Sequence, residues 1–438
     1  AARPNQTGRR RSTMAPSLVG LRERSSAAWW ARMEGNGTKK SPYTTRHVRS
    51  LFERLDLPRN LTWSSLIDGF HAAPTSNVFL VSVAGGHVRT IAPRSSRLDC
   101  TKVRARPSSH WRCGFDAWQR YKRFEYYLYR ATQQPPPLPD ALLLVDMDEV
   151  ADQRLRDRRG RALPKFGTGR SPCGGTLPVP FPVKGFGALD AIEKLRHAGD
   201  GWRHELVPWV RRERRALWRG CSRRFSADSC VPHGANWSRH PRSRLVAMAA
   251  REPALLDASF TAHDQHVPPA LKARLSGGRP LAAPVGFAAM SGWRYLIAID
   301  GHGWQASLAA KLMLGSTVLS ARSRYPLWFE PLLRHQVHVW RVAPSLADLP
   351  AAVRTLRADD AAARRIARQG ERRIATLLHE PHLVGYVRLL LEQHGARVVA
   401  DAGAPSALRL YHRLCRERTR YFCTHSWPSS PPEFDARS

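Results

Sequence analysis

The sequence predicts an α/β protein built in two halves, on three observations. The chain has 438 residues, 42% of them hydrophobic and 9% aromatic, enough to bury one large core or two. Its second half alternates short apolar, β-branched runs with helical stretches, the rhythm of βαβ units. A Gly-rich turn directly follows one of those runs, at the carboxyl end of a strand, where α/β sheets place ligands.

The elements follow in order. Residues 1–45 are rich in Arg, Ser, Gly and Thr, show no periodicity, and read as a disordered lead-in. A first domain is expected over 46–205: a short helix from His47, then a buried strand over 77–84 closed by Gly85 and Gly86. Phe115, Trp118, Tyr121, Tyr126 and Tyr129 mark a helix over 115–131, and Pro135, Pro136 and Pro137 end it before a strand over 141–145. The stretch 151–187 is rich in Arg, Gly and Pro and predicts a long loop or insert. The second domain, 206–375, carries strands over 293–299, 316–320 and 336–342, a helix over 304–314, and helices beyond Pro344. Residues 376–438 are expected to form helices packing back, followed by a tail. No repeat of 20 to 50 residues is present.

Charge and composition exclude several classes. There are 70 Lys and Arg against 35 Asp and Glu, a net +35, which alone suggests nucleic acid or an acidic surface. Only nine of the basic residues are Lys, and the 61 Arg are scattered along the chain with abundant Ala and Pro, a pattern of GC-rich codon usage. A nucleic-acid footprint clusters on one element instead, so no specific nucleic-acid partner is expected. No apolar run approaches about 18 residues, so no transmembrane segment is expected. The first residue is Ala and no signal-like segment follows, so a start truncated upstream is expected, and residues 434–438 carry no retention signal.

The seven cysteines form no close CxxC pair, which argues against structural zinc. Cys100 with Cys113, Cys221 with Cys230 and Cys415 with Cys423 are possible local bridges, leaving Cys173 over. Of five Asn, four begin N-x-S/T sequons, at Asn5, Asn36, Asn60 and Asn236, which points to glycosylation in a secretory lumen.

Three places can carry chemistry. The strand over 293–299 runs into Asp300, Gly301, His302, Gly303 and Trp304, where free N–H groups would meet an anion such as a phosphate; the bland alternative is a tight turn. Arg242, downstream of the segment Leu217, Trp218, Arg219 and Gly220, can clamp a diphosphate, although in this chain a given Arg is more often solvated. The strand over 142–145 ends in Asp146, Met147, Asp148 and Glu149, which reads as a general base, a DxD-like pair for Mg or Mn, or a solvated acidic turn.

Taken in order, these segments resemble glycosyltransferase family 90, the Rumi-like protein O-glucosyltransferases and capsule-associated xylosyltransferases. The similarity runs over about 131–393. It is densest from Trp293 to Trp304, with the DGxGW-type turn, and continues through the Gly315-Ser316 strand, the Trp328-Phe329 pair and Val337-His338. Upstream, Trp218, Arg219 and Gly220 match the family's F/W-R/K-G segment, and Arg242 stands three residues before Leu245 as the donor-phosphate Arg does.

The resemblance implies a GT-B fold, two Rossmann-like halves facing across a cleft, with the acceptor on the first and a UDP-sugar on the second. It implies Asp148 as the catalytic base of an inverting transfer. It implies donor contacts from Gly220, Arg242, Gly301, His302, Gly303, Trp304, Gln305 and Ser307, with no metal and no cofactor beyond the UDP-sugar co-substrate. Glucose and xylose are the expected sugars, a protein or glycan hydroxyl the acceptor, and the endoplasmic reticulum or Golgi lumen the compartment. The chain departs from the pattern in three places: Gln305, Ala306 and Ser307 where many members have S-x-R, Glu149 and Val150 after Asp148, and Cys221 in place of Ser. Competing expectations are an inactive member serving as a scaffold and, on charge alone, a nucleic-acid-binding protein.

Overall fold

A computed structural model of the chain describes residues 41–55, 57–58, 60–73, 78–93, 115–147, 154–170, 175–180, 206–223, 237–264, 267–301, 303–403, 406–417 and 421–426. Most of the expected lead-in lies outside the described residues.

The first half contains α1 (Thr45–Glu53), β1 (Leu61–Thr62), α2 (Trp63–His71), β2 (Val78–Ala84), β3 (His87–Pro93), α3 (Phe115–Thr132), β4 (Ala141–Asp146), β5 (Lys165–Gly167) and β6 (Thr176–Pro178). Thr44 caps α1 by accepting from the His47 amide. Gly85 and Gly86 take φ of +56° and +76°, the left-handed pair that a two-residue hairpin between β2 and β3 requires. β4 is a continuous apolar run because both faces are covered: Leu143 and Val145 join the cluster holding Tyr121, Phe124 and Leu128 of α3, and Leu142 and Leu144 join Leu66 and Phe70 of α2.

The second half contains β7 (Glu213–Cys221), α4 (Pro241–Arg251), β8 (Leu256–Ala262), α5 (Pro269–Leu275), β9 (Trp293–Ala298), α6 (Leu308–Met313), β10 (Thr317–Ala321), β11 (Trp340–Val342), α7 (Leu349–Ala358) and α8 (Asp360–Leu377). Its five strands are all parallel, in the order β11-β10-β9-β7-β8. The chain leaves β7 towards β8 on one side and returns to β9 on the other. The carboxyl ends of β7 and β9 therefore form the topological switch point of this sheet.

The chain then returns to the first half through α9 (Glu380–Gly395), β12 (Val398–Val399), α10 (Ala407–Arg416) and β13 (Tyr421–Ser426). β13 pairs antiparallel with β3 at the edge of a six-stranded sheet ordered β13-β3-β2-β4-β5-β6, and β12 pairs with β1. His394 of α9 donates from Nε2 to the Leu142 carbonyl of β4 at 2.8 Å, and Tyr386 donates to the Pro178 carbonyl at 2.7 Å. A disulfide joins Cys415 to Cys423, while Cys221 keeps a free thiol, so the bridge to Cys230 does not form.

Four expectations change. The stretch 151–187 is not simply a loop: it supplies β5 and β6, which extend the sheet parallel to β4. The helix expected over 304–314 is shortened to α6, because residues 303–307 form a turn. The strand expected over 336–342 is reduced to β11, since Gln336 takes a φ of +59°. The first sheet is mixed rather than uniformly parallel, because the β2–β3 hairpin and β13 run antiparallel.

Candidate active site

The switch point is bridged by one side chain. Arg242, in the first turn of α4, donates from Nε to the Asp300 carbonyl at 3.0 Å and from Nη1 to the Cys221 carbonyl at 2.9 Å. Its planar fork thus ties the end of β7 to the residue two beyond β9. It also lies 5.6 Å from the Trp218 ring, within cation–π range. His240 caps α4 by accepting from the Arg242 amide on Nδ1, and its Nε2 donates to the Gly301 carbonyl, both at 3.2 Å. A single neutral tautomer satisfies both bonds.

Two glycines sit in close approach to side chains of the site. A Cβ on Gly301 would stand 2.9 Å from Arg242 Nη2, and one on Gly220 would stand 2.8 Å from the Trp218 ring. Sequence comparison of motifs brings Gly220, Arg242 and Gly301 to one place, and so does the fold.

Of the remaining turn residues, Gly303, Trp304 and Gln305 are buried. His302 lies outside the described residues. Gly303 is buried, and Trp304 is 2% exposed within the largest core, beside Leu308, Tyr325 and Leu327. Gln305 is buried, its amide donating to the Ala321 carbonyl and its Oε1 accepting from Ser320 Oγ at 3.1 Å, so its carboxamide fastens the turn to β10. Ser307 is the cap residue of α6 and makes no side-chain capping bond.

Of three ionisable groups at this turn, the sequence singled out only Asp300 and not Lys311 or Glu330. Lys311 of α6 is buried and donates from Nζ to the Ile297 carbonyl at 2.7 Å; burial, then the nearby Arg242 charge, pushes its pKa down to about 7. Burial pushes Asp300 up to about 6, although its Oδ2 accepts from the Arg324 amide at 2.9 Å. Glu330 is raised to about 7 by burial; its Oε1 accepts from the Leu327 amide at 3.0 Å and Arg341 stands 3.8 Å away. The signal for Lys311 was present in the sequence, as a lone cation inside the apolar run 308–314.

Asp148 lies outside the described residues, but the backbone leading to it is tightly held. Asp146, at the end of β4, is buried against Lys165 of β5, and Arg120 of α3 donates to the Met147 carbonyl at 2.7 Å. Among the described residues, no group of three or more His, Cys, Asp or Glu is placed to hold a metal ion.

Beside the switch point lies a cavity of about 830 Å³. Arg322, Ser323, Glu330 and Asp348 line it from the second half, and Arg54 and Arg170 from the first. The Arg170 amide donates to the Pro326 carbonyl at 3.1 Å, which fastens the loop after β5 to the loop after β10.

A parallel sheet with an arginine-bridged switch point and an adjoining cavity is the α/β arrangement in which ligands are placed at the strand carboxyl ends. The sequence places it further: the chain belongs to glycosyl transferase family 90, whose model matches residues 135–426. Protein O-glucosyltransferase 3 of Rattus norvegicus is 30% identical over 167 residues, which is 37% of this chain and 31% of that protein. The chain thus spans less than a third of that curated relative. Among solved structures, sucrose-phosphate synthase from Thermosynechococcus elongatus aligns with a TM-score of 0.30 and 16% identity, covering 51% of this chain and 53% of that one. Glycosyl transfer is the reaction class of the family. Among the described residues, no helix is long and apolar enough to cross a membrane.

Proposed function

We propose that the protein is an inverting, metal-independent glycosyltransferase that moves glucose or xylose from a UDP-sugar to a hydroxyl on a protein or glycan. The observation that carries this reading is the Arg242 bridge at the switch point, beside Gly301, in a chain of this family. The two halves act as a GT-B pair, the donor on the second and the acceptor against the first.

In this scheme Asp148 accepts the proton of the acceptor hydroxyl while the oxygen attacks the anomeric carbon. The bond from that carbon to the UDP oxygen breaks on the opposite face, which inverts the centre. Negative charge develops on the departing diphosphate, and Arg242 with the N–H groups of the 301–305 turn offsets it. The Lys165 ion pair occupies Asp146, which speaks against Asp146 serving as one half of a metal-binding pair. Asn60, an exposed sequon residue with φ of +64°, supports a lumenal setting.

The experiment is UDP release from a panel of UDP-sugars, with and without EDTA, on protein made through a secretory pathway. Release from one sugar, unchanged by EDTA and abolished in Asp148→Asn with UDP binding retained, is the expected result. Silence across the panel, with UDP failing to raise Tm, would leave the protein a scaffold.

A further inference from the structure

Three guanidinium groups far apart in sequence converge on the cavity beside the switch point. Arg54 is the C-cap of α1, Arg170 follows β5, and Arg322 follows β10. Among the described residues, no side-chain or backbone acceptor meets any of the three guanidiniums. Arg341, in the same cavity, differs: it donates to Ser320 Oγ and to the Glu330 carbonyl, both at 3.0 Å, and faces the Glu330 carboxylate. The cavity's two carboxylates are already engaged, Glu330 with the Leu327 amide and Arg341, Asp348 with the Ala343 amide at 2.9 Å.

Arg54 and Arg322 are exposed side chains, carried by an anchored backbone. The backbone at Arg170 is bonded to Pro326, and the Ala321 carbonyl next to Arg322 is held by Gln305. Arg170 is half-buried, and burial together with the Arg54 charge lowers its pKa, so the protein alone carries an uncompensated repulsion here. With 61 Arg in the chain, a stray guanidinium means little, but three that share one concave site and lack acceptors form a receptor for negative charge.

We infer that this cavity binds a multiply charged anionic group, a phosphate or carboxylate cluster, through Arg54, Arg170 and Arg322. Two sources carry that chemistry: the diphosphate of a nucleotide donor and an acidic group on the acceptor. The inference rests on the transferase reading only in naming those sources.

The test is calorimetric titration of the full chain with inorganic pyrophosphate, at low and at moderate salt. Wild type, Arg322→Gln and the double variant Arg54→Gln with Arg170→Gln are compared, with Tm measured on each to show that they fold. The expected result is binding that weakens with salt and falls by about tenfold or more in the double variant. Absence of binding to wild type, or affinities within about twofold in both variants, overturns the inference. Titration with UDP, and separately with a glucuronate-bearing oligosaccharide, assigns the source: parallel loss of UDP affinity names the donor, and loss confined to the oligosaccharide names the acceptor. UDP release from UDP-sugars is read independently. Turnover with arginine-independent pyrophosphate binding removes only the cavity, and arginine-dependent binding without turnover removes only the transfer reaction.

Discussion

Lys165 and Asp146 form an ion pair of 2.8 Å between Nζ and Oδ2, with side chains 0% and 4% exposed. The pair joins β4 to β5 two residues before Asp148. Removing one partner takes from the other its buried counter-charge, at a cost of up to about 3–5 kcal/mol, whereas removing both charges costs less. Lys165→Met should therefore lower the unfolding free energy by up to that amount, and adding Asp146→Asn should recover part of it. Urea denaturation of the two single variants and the double variant measures the coupling.

Arg242 bridges two carbonyls that belong to different strands, and an ammonium has no fork with which to hold both in plane. Arg242→Lys should weaken UDP binding by about tenfold or more while retaining the positive charge. Gly301→Ala approaches the same site from the other side, because its Cβ would stand 2.9 Å from Nη2. Both variants should lose UDP affinity in calorimetry. Equal affinity in both would remove Arg242 from the donor site.

The second half was legible because its strands are apolar runs bounded by glycine: 293–298 and 317–321 stand out from their neighbours. β5 and β6 were not, since Lys165–Gly167 and Thr176–Pro178 are three residues each in an Arg-, Gly- and Pro-rich setting. β7 hides behind its charges, with only Ala216, Leu217 and Trp218 buried. At the site, Arg242 and Gly301 came from motif order, but their contact is tertiary, 59 residues apart in the chain. Trp304 and Gln305 read as donor contacts in one dimension, and in three they pack inward. The Arg54, Arg170 and Arg322 group was invisible among 61 arginines, since nothing local marks convergence.

His394 locks α9 onto β4, and burial holds its pKa down, from 6.5 to about 4. A histidine whose folded pKa is depressed contributes stability that is present above 6.5 and is lost as pH falls towards 4. That displacement corresponds to on the order of 3 kcal/mol. His394→Gln keeps an N–H for the Leu142 carbonyl but cannot titrate. Chemical denaturation at pH 5 and pH 7 should show wild type losing more stability on acidification than this variant does.

Glu330 works in the opposite direction over nearly the same range. Its carboxyl is raised from 4.5 to about 7, chiefly by burial, with Asp300 adding repulsion against the Leu327 amide and Arg341. A carboxyl whose folded pKa is raised contributes stability that is complete below 4.5 and is lost as pH climbs through 7, again on the order of 3 kcal/mol. Glu330→Gln keeps an acceptor for the Leu327 amide and removes the ionisation, so it should be relatively more stable than wild type at pH 7.5 than at pH 5. Because the His394 and Glu330 contributions have opposite signs between pH 4.5 and 6.5, they offset each other in the wild-type profile. The two variants should therefore tilt it in opposite directions, His394→Gln towards greater stability at acid pH and Glu330→Gln towards greater stability at neutral pH. Profiles of both variants parallel to wild type would show that neither group carries a displaced pKa.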